Sequence, residues 1–231
     1  MTAVAVTTGQ DAAVLRILPH FSYCVKLERM RKFILVLLIA VVVWKIVSEP
    51  GELHYGPGVM AAQAPQQSAP RLDSVIEMDG YKITPLADFK ITAKVLSRRD
   101  YRFGREADLS PVDFALGWGN MSDESVLQEI KISQSNRWYR WQVREFPIPK
   151  QEIQTHSANM HIIPKDRGLA RVISNIRKGS VVTLTGQLVI VDGDKGWQWT
   201  SSLSREDIGA HACELFLVES VETHLEDSRA I

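Results

Sequence analysis

The sequence predicts a strand-rich α+β domain, a small curved sheet or OB-like barrel with one main amphipathic helix, preceded by a single N-terminal transmembrane helix. Three observations carry this. Residues 89 to 96, FKITAKVL, place Phe89, Ile91, Ala93 and Val95 on one face at a period of two, as a half-buried strand requires. Residues 166 to 178, DRGLARVISNIRK, form the clearest segment at the helical period. Residues 33 to 47, FILVLLIAVVVWKIV, follow Arg29, Arg31 and Lys32 directly and read as a membrane-targeting segment.

The apolar run from Phe33 to Trp44 has the size of a signal-peptide core and is shorter than the roughly 20 residues that a spanning helix prefers. Lys45 can reach the headgroups while its stem stays in lipid, which lets Ile46 and Val47 extend the span. The nearest small-x-small site, Ala62-Gln63-Ala64, lies past Pro50, Gly51, Pro57 and Gly58, so an uncleaved signal anchor over 33–47 is the preferred reading. Lys26, Arg29, Arg31 and Lys32 precede the span, and Glu49 and Glu52 follow it. That bias puts the N-terminus in the cytoplasm and, for a bacterial inner membrane, the C-terminal domain in the periplasm. Residues 1–32 are expected to be a short cytoplasmic tail, with Met30 as an alternative start.

Residues 48–72 carry Pro, Gly, Gln and Ala without apolar periodicity and are expected to be a flexible linker, a tether of about 25 to 30 Å. The globular domain is assigned to 73–225 and a tail to 226–231. Within the domain, Asp79-Gly80 is a turn pair joining two short strands over 75–84. One short helix is expected from Ser110-Pro111 and another from Ser122 through Val126, Leu127 and Ile130. Residues 137–143 alternate as a strand. The helix at 166–178 takes Asp166 as its cap, Leu169, Val172, Ile173 and Ile176 as its apolar face, and Gly179 as its terminator. Beyond it come the strand SVVTLTGQLVIV, in which Gly186 permits a bend, the strand WQWTS and the strand CELFLVESV. SH3-like and other α+β arrangements share this pattern of elements.

From Asp73 onward the chain has 20 Lys and Arg against 23 Asp and Glu, a net charge of −3 that argues against a nucleic-acid-coating surface. Cys24 and Cys213 fall on opposite sides of the span, so no intramolecular disulfide is expected. Phosphate-loop, dinucleotide-binding, zinc-finger and kinase signatures are absent after the span.

Three stretches are richer in polar and aromatic residues than a scaffold requires: YRFGREADLSPVDFALGWGNMSD from Tyr101, THSANMHIIP from Thr155, and WQWTSSLSREDIGAHACEL from Trp197. Together they resemble an uncharacterised family of bacterial membrane-anchored periplasmic proteins, over most of the chain beyond the linker. The resemblance implies a location and no activity.

The candidate binding surface is a cleft between THSANMH, the Trp138 strand and SSLSRED. Trp138, Arg140 and Arg144 share one face of the segment 135–145 read as a strand, where an indole and guanidinium groups can stack planar groups and pair with phosphate or carboxylate. Tyr139, Trp141 and Val143 face the core. His156, Ser157, Asn159 and His161 supply one wall, and Ser201, Ser202 and Arg205 the other. These residues fit a non-enzymatic domain that binds an envelope protein or other envelope component. No catalytic residue and no cofactor is assigned.

The alternative is a metal-dependent or nucleophilic envelope hydrolase with zinc on His156, His161, His211 and Cys213. The spacing of five between His156 and His161 matches neither a helical face nor a known finger pattern, and hydrogen bonding at strand ends accounts for both. A second cluster, Arg98, Arg99, Arg102 and Arg105, would enlarge the binding surface if it lay alongside the first.

Overall fold

The computed structural model describes residues 18–48, 51–71, 74–206 and 212–224, with side chains from 27 to 44 in the first segment. The chain divides into two compact units, Met1–Pro50 and Gly51–Ile231. In the first, helix α1 (Leu18–Ser48) runs unbroken through the apolar stretch. The large apolar side chains from Phe33 to Trp44 are each 47 to 71 % exposed, with apolar residues on every side of the helix. Among the described residues no helix is long and apolar enough to cross a membrane. The expected tail at 226–231, residues 1–17 of the N-terminal tail, and His211 lie outside the described residues.

The second unit is a strand-rich α+β domain on a curved sheet with one main helix. Strand β1 is Gln66–Ser68, and β2 (Ile76–Met78) turns through Asp79 and Gly80, both at positive φ, into β3 (Tyr81–Asp100). Helix α2 (Arg105–Leu109) leads to β4 (Val112–Gly117). Helix α3 (Glu124–Leu127) leads to the hairpin of β5 (Ile130–Ser135) and β6 (Trp138–Val143). Helix α4 (Lys150–Thr155), β7 (Ser157–Pro164), α5 (Arg167–Ser174), β8 (Val181–Asp192), β9 (Gln198–Thr200) and β10 (Glu214–His224) complete the unit.

The long strand β3 organises the sheet. Residues 82 to 94 pair with β8 and residues 94 to 100 with β4, both antiparallel. β4 pairs antiparallel with β7, β7 parallel with β10, and β10 antiparallel with β8. The pairing path that leaves β3 through β4 therefore returns to it through β8. Its inner face is apolar: Phe89, Ile91, Phe114, Met160, Leu184 and Phe216 are all at most 2 % exposed. Phe89 and Phe216 meet edge to face with centroids 5.2 Å apart, a favoured aromatic geometry. Gly186 sits where β8 passes between Phe89 of β3 and Val218 of β10. A Cβ there would lie 2.0 Å from the Leu217 carbonyl oxygen, so the close approach of the two strands requires glycine.

Several expected elements move. The helix expected from Ser110-Pro111 lies instead just before them as α2, with Ser110 as its C-cap. From Val112 the chain alternates Val112, Phe114 and Leu116 into the core with Asp113 and Ala115 on the other face, which makes it a strand. The helix expected from Ser122 is reduced to the single turn of α3, capped by Asp123, and Ile130 begins β5. α5 is capped by Asp166 as expected but ends at Ser174, so Val172 is 45 % exposed and Ile176 is buried from the following turn.

The expected free tether is also corrected, because residues 53–68 lie against the domain. Leu53 N–H donates to the Lys178 carbonyl at 3.0 Å, and β1 pairs with β3. Gly179 takes φ +88°, and a Cβ on it would lie 2.0 Å from the Leu53 carbonyl oxygen. The Glu124 carboxylate accepts from Tyr55 N–H at 2.8 Å, from Gly56 N–H at 3.0 Å and from the buried Lys94 ammonium at 2.6 Å. Ser122 Oγ accepts from Met60 and Ala61 N–H and donates to the Gly119 carbonyl. Backbone amides with few side-chain demands are what a Pro- and Gly-rich segment offers, and buried acceptors on the domain satisfy them.

Burial opposes ionisation of Glu124, but the hydrogen bonds from Lys94, Tyr55 and Gly56 outweigh it and hold the carboxyl below the ordinary glutamate range. A depressed acid contributes stability above its unfolded-state range and loses it as the pH falls through the folded value. Protection of the 53–61 amides, taken against the intrinsic exchange rate at each pH, should fall on acidification below the ordinary glutamate range, before protection in β8 does. Glu124→Gln should produce the same loss at neutral pH. Equal protection of 53–61 in all three conditions would exclude this carboxylate as the fastening.

Candidate functional site

The β5–β6 hairpin stands apart from the main sheet as a separate two-stranded sheet, and its turn determines where it sits. Asn136 and Arg137 occupy the turn at φ +51° and +67°, the left-handed conformations of a two-residue hairpin loop. That backbone sends the Arg137 side chain into a polar pocket of the domain. Its Nη1 donates to Asp113 Oδ1 at 2.6 Å and its Nη2 to the Ser110 carbonyl at 2.8 Å. The guanidinium also lies 3.7 Å from the centroid of the Tyr101 ring, and Arg137 N–H donates to the Tyr101 hydroxyl at 2.9 Å.

Asp113 is fully buried on β4, and His161 Nδ1 lies 2.9 Å from the same Oδ1. Register explains the meeting, since Asp113 and His161 are cross-strand partners on β4 and β7. Trp199 of β9 covers the imidazole at 4.8 Å between centroids. Burial raises the Tyr101 phenol above its ordinary range, with the Asp113 charge adding to the effect, so the hydroxyl stays protonated.

Further along the hairpin, Gln134 Nε2 donates to Asn159 Oδ1 at 2.6 Å, and Asn159 Nδ2 donates to the Arg137 carbonyl at 3.1 Å. Burial pushes the Tyr139 phenol up to about 12, and its hydroxyl donates to Ser157 Oγ at 3.1 Å. Tyr139, Trp141 and Val143 thus pack inward, as the alternation predicts, against a core of Leu96, Met121 and Ile153. Trp138, Arg140 and Gln142 face outward.

Between β6, the start of β7 and the segment before β10 lies a groove of about 410 Å³. It is lined by Trp138 and Arg140 of β6, Ser157 and Asn159 of β7, and Ser204 and Arg205 beyond β9. Tyr139, Trp141, Gln142, Gln154, Cys213 and Glu214 also line it. Trp138 is 42 % exposed. Arg140 donates to Ser135 Oγ at 2.8 Å, and Arg205 Nε lies 2.7 Å from Oε1 of the buried Glu214.

Five of the residues expected to bind, Trp138, Arg140, Ser157, Asn159 and Arg205, therefore meet in one groove. The others do not join them. Arg144 is exposed beyond the end of β6. Ser201 and Ser202 are buried, with Ser201 Oγ accepting from Leu215 N–H and donating to the Ser202 carbonyl. His156 caps α4 with Nδ1 3.2 Å from the Glu152 carbonyl and its ring beside Trp118. His161 is part of the Asp113 cluster on the opposite face of the strand from Met160 and Ile162.

Of the alternative zinc ligands, His156 and His161 are thus committed to separate environments, and His211 lies outside the described residues. Among the described residues no three His, Cys, Asp or Glu side chains gather as a metal site would require. Cys213 lies half-buried at the groove just before β10, 3.6 Å from Asn159 Nδ2. The second arginine cluster is elsewhere. Arg98 donates to the carbonyls of Ile173, Ser174 and Ile176 at the end of α5, and Arg105 pairs with Asp194.

The sequence reading missed Asp113 as the residue that positions the hairpin. A signal was present, since an acidic residue in the middle of the buried run VDFALG requires a cation or donor. No family model, no curated protein and no solved structure matches this chain.

Removing one partner of a buried pair leaves an uncompensated charge, at a cost of about 3 to 5 kcal/mol. Asp113→Asn should lower the urea unfolding free energy of the domain by that order, whereas Arg144→Ala should change it by less than about 0.5 kcal/mol. Equal, small effects from both would remove Asp113 from its role.

Proposed function

We propose that this chain is a single-pass bacterial inner-membrane protein whose periplasmic domain, an OB-like barrel, binds an envelope protein or another envelope component without catalysing a reaction. The observation that carries the reading is the groove beside β6, which unites an exposed indole, two guanidinium groups and planar amides. Pockets of this kind, with an aromatic wall and a few convergent polar groups, are how folded domains orient a ligand. The hydroxyls of Ser157 and Ser201 donate to backbone carbonyls, which favours binding over nucleophilic chemistry.

The barrel is supported by the strand order. A path of five strands that returns to its first member, with a parallel pair between the third and the last and a helix between the third and fourth, is the arrangement of an OB fold. Such barrels bind ligands on the second and third strands and in the loops that follow the first and fourth. The groove uses the third, β7, and the segment after the fourth, β8.

The membrane placement is supported by α1. A helix that is apolar all round from Phe33 to Trp44 has no polar face to offer water. The basic residues before it and Glu49 and Glu52 after it orient the domain outward. The resemblance to membrane-anchored bacterial proteins points to the same location.

Two measurements in living cells test this reading. A photoreactive amino acid at Trp138 or Arg205 should give a discrete adduct that the same group at Lys195 does not. Alkaline phosphatase fused after Ile231 should be active, and the chain should stay with membranes in alkaline carbonate. A silent groove with reactive control positions would count against the binding surface, and an inactive fusion on a carbonate-soluble chain against the anchor.

A further inference from the structure

The groove meets β6 along its edge. All five residues from Trp138 to Gln142 line it, although successive side chains of a strand point to opposite faces. A surface touched by both faces of one strand runs beside its backbone.

Hairpin geometry fixes which peptide groups point there. The two-residue loop at Asn136 and Arg137 makes Ser135 and Trp138 the first hydrogen-bonded pair. Hydrogen-bonded and non-hydrogen-bonded pairs then alternate, so Arg140 opposite Ser133 and Gln142 opposite Lys131 direct their N–H and C=O groups to β5. The peptide groups of Tyr139 and Trp141 point the other way, into the groove. Among the described residues β6 pairs with β5 alone, and no hydrogen bond is made by the backbone of Tyr139 or Trp141.

Charge adds a second requirement. Arg205 is matched by Glu214, but Arg140 donates only to the Ser135 hydroxyl and has no acidic partner among the described residues. Beside it the Trp138 indole is partly exposed.

From the free edge and the unmatched guanidinium we infer that the groove takes an extended polypeptide segment as a third strand on β6. The segment carries an acidic residue opposite Arg140 and an apolar side chain against Trp138. Main-chain hydrogen bonds supply affinity in this mode of recognition, and alternate side chains supply specificity. β6 is six residues long, about 20 Å of extended chain, so the recognised segment is on the order of six residues. This inference rests on the binding reading above and names the class of ligand.

The test uses the full chain in detergent micelles. The probes are a pooled library of octapeptides with one or two central Asp or Glu among alternating apolar residues, the selected octapeptide N-methylated on alternate residues in each of the two phases, and a neutral chito-oligosaccharide. A selected octapeptide should slow exchange of the Tyr139 and Trp141 amides at least tenfold. N-methylation in the pairing phase should weaken binding at least tenfold, while the opposite phase leaves it within twofold. Arg140→Glu should shift the preference from acidic to Lys-containing peptides.

Equal affinity of both N-methylated forms would overturn edge pairing. Protection by the oligosaccharide and by no peptide would overturn the peptide inference and leave the binding reading standing. Protection that is already present and rises with protein concentration would make a second copy of this chain the occupant. No protection by any probe, together with no adduct from Trp138 in cells, would overturn both readings.

Discussion

A carboxylate with no access to water, that of Asp113, determines where the β5–β6 hairpin sits and hence whether the groove exists. A buried charge must be matched, and the match comes from Arg137, which lies 24 residues along the chain in the tip of that hairpin. The left-handed turn at Asn136 and Arg137 is what allows a tip residue to point inward. With the tip fixed by Asp113, Ser110 and Tyr101, the rest of β6 is carried over the start of β7. There Tyr139 fills space above Ile153 and leaves Trp138 and Arg140 facing outward. The groove is the gap that this placement leaves between β6 and the segment leading into β10.

The main sheet supplies the rigid half of the arrangement. Sharing β3 between β4 and β8 makes its two ends serve different neighbours, and Gly186 allows β8 and β10 to approach closely opposite its first half. The core that results is aromatic and aliphatic, and Glu214, buried on the face of β10 that carries Phe216, is matched there by Arg205. Two further buried charged clusters lie on the outer face of the strands, Asp113 with His161 and Lys94 with Glu124, and each fastens a peripheral segment. The first holds the hairpin, and the second holds residues 53–61 against the domain.

Much of the fold was legible because it follows from period and punctuation. The turn at Asp79-Gly80, the alternation of Phe89, Ile91, Ala93 and Val95, and the Asp166 cap all act within a few residues of one another. The helix placed at Ser110-Pro111 was misread because Ser and Pro suit a strand entry as well as a helix start, and only the burial of Val112, Phe114 and Leu116 decides between them. The linker was misread for a related reason. Its side chains show no apolar pattern, since it docks through backbone amides whose acceptors lie more than 60 residues away. In the candidate site, polar and aromatic residues at strand ends marked Trp138, Arg140, Ser157, Asn159 and Arg205 as neighbours, and they line one groove. Composition placed His156, His161, Ser201 and Ser202 with them, but His156 caps α4, His161 lies further along the same face of β7 against Asp113 and under Trp199, and Ser201 and Ser202 are buried. The pairing of Asp113 with Arg137 depends on a turn conformation and a cross-sheet register, and neither is visible in residue spacing.

The dependence of the groove on this one ion pair is open to a direct measurement. Arg137→Met keeps the length of the side chain and removes its charge. In the full chain, site-resolved amide exchange of this variant should show β5 and β6 losing protection by at least tenfold while β8 and β10 keep theirs, because the hairpin alone loses its fastening. Undiminished protection of β5 and β6, or an equal loss across β8 and β10, would contradict the claim that Asp113 and Arg137 hold the groove in place.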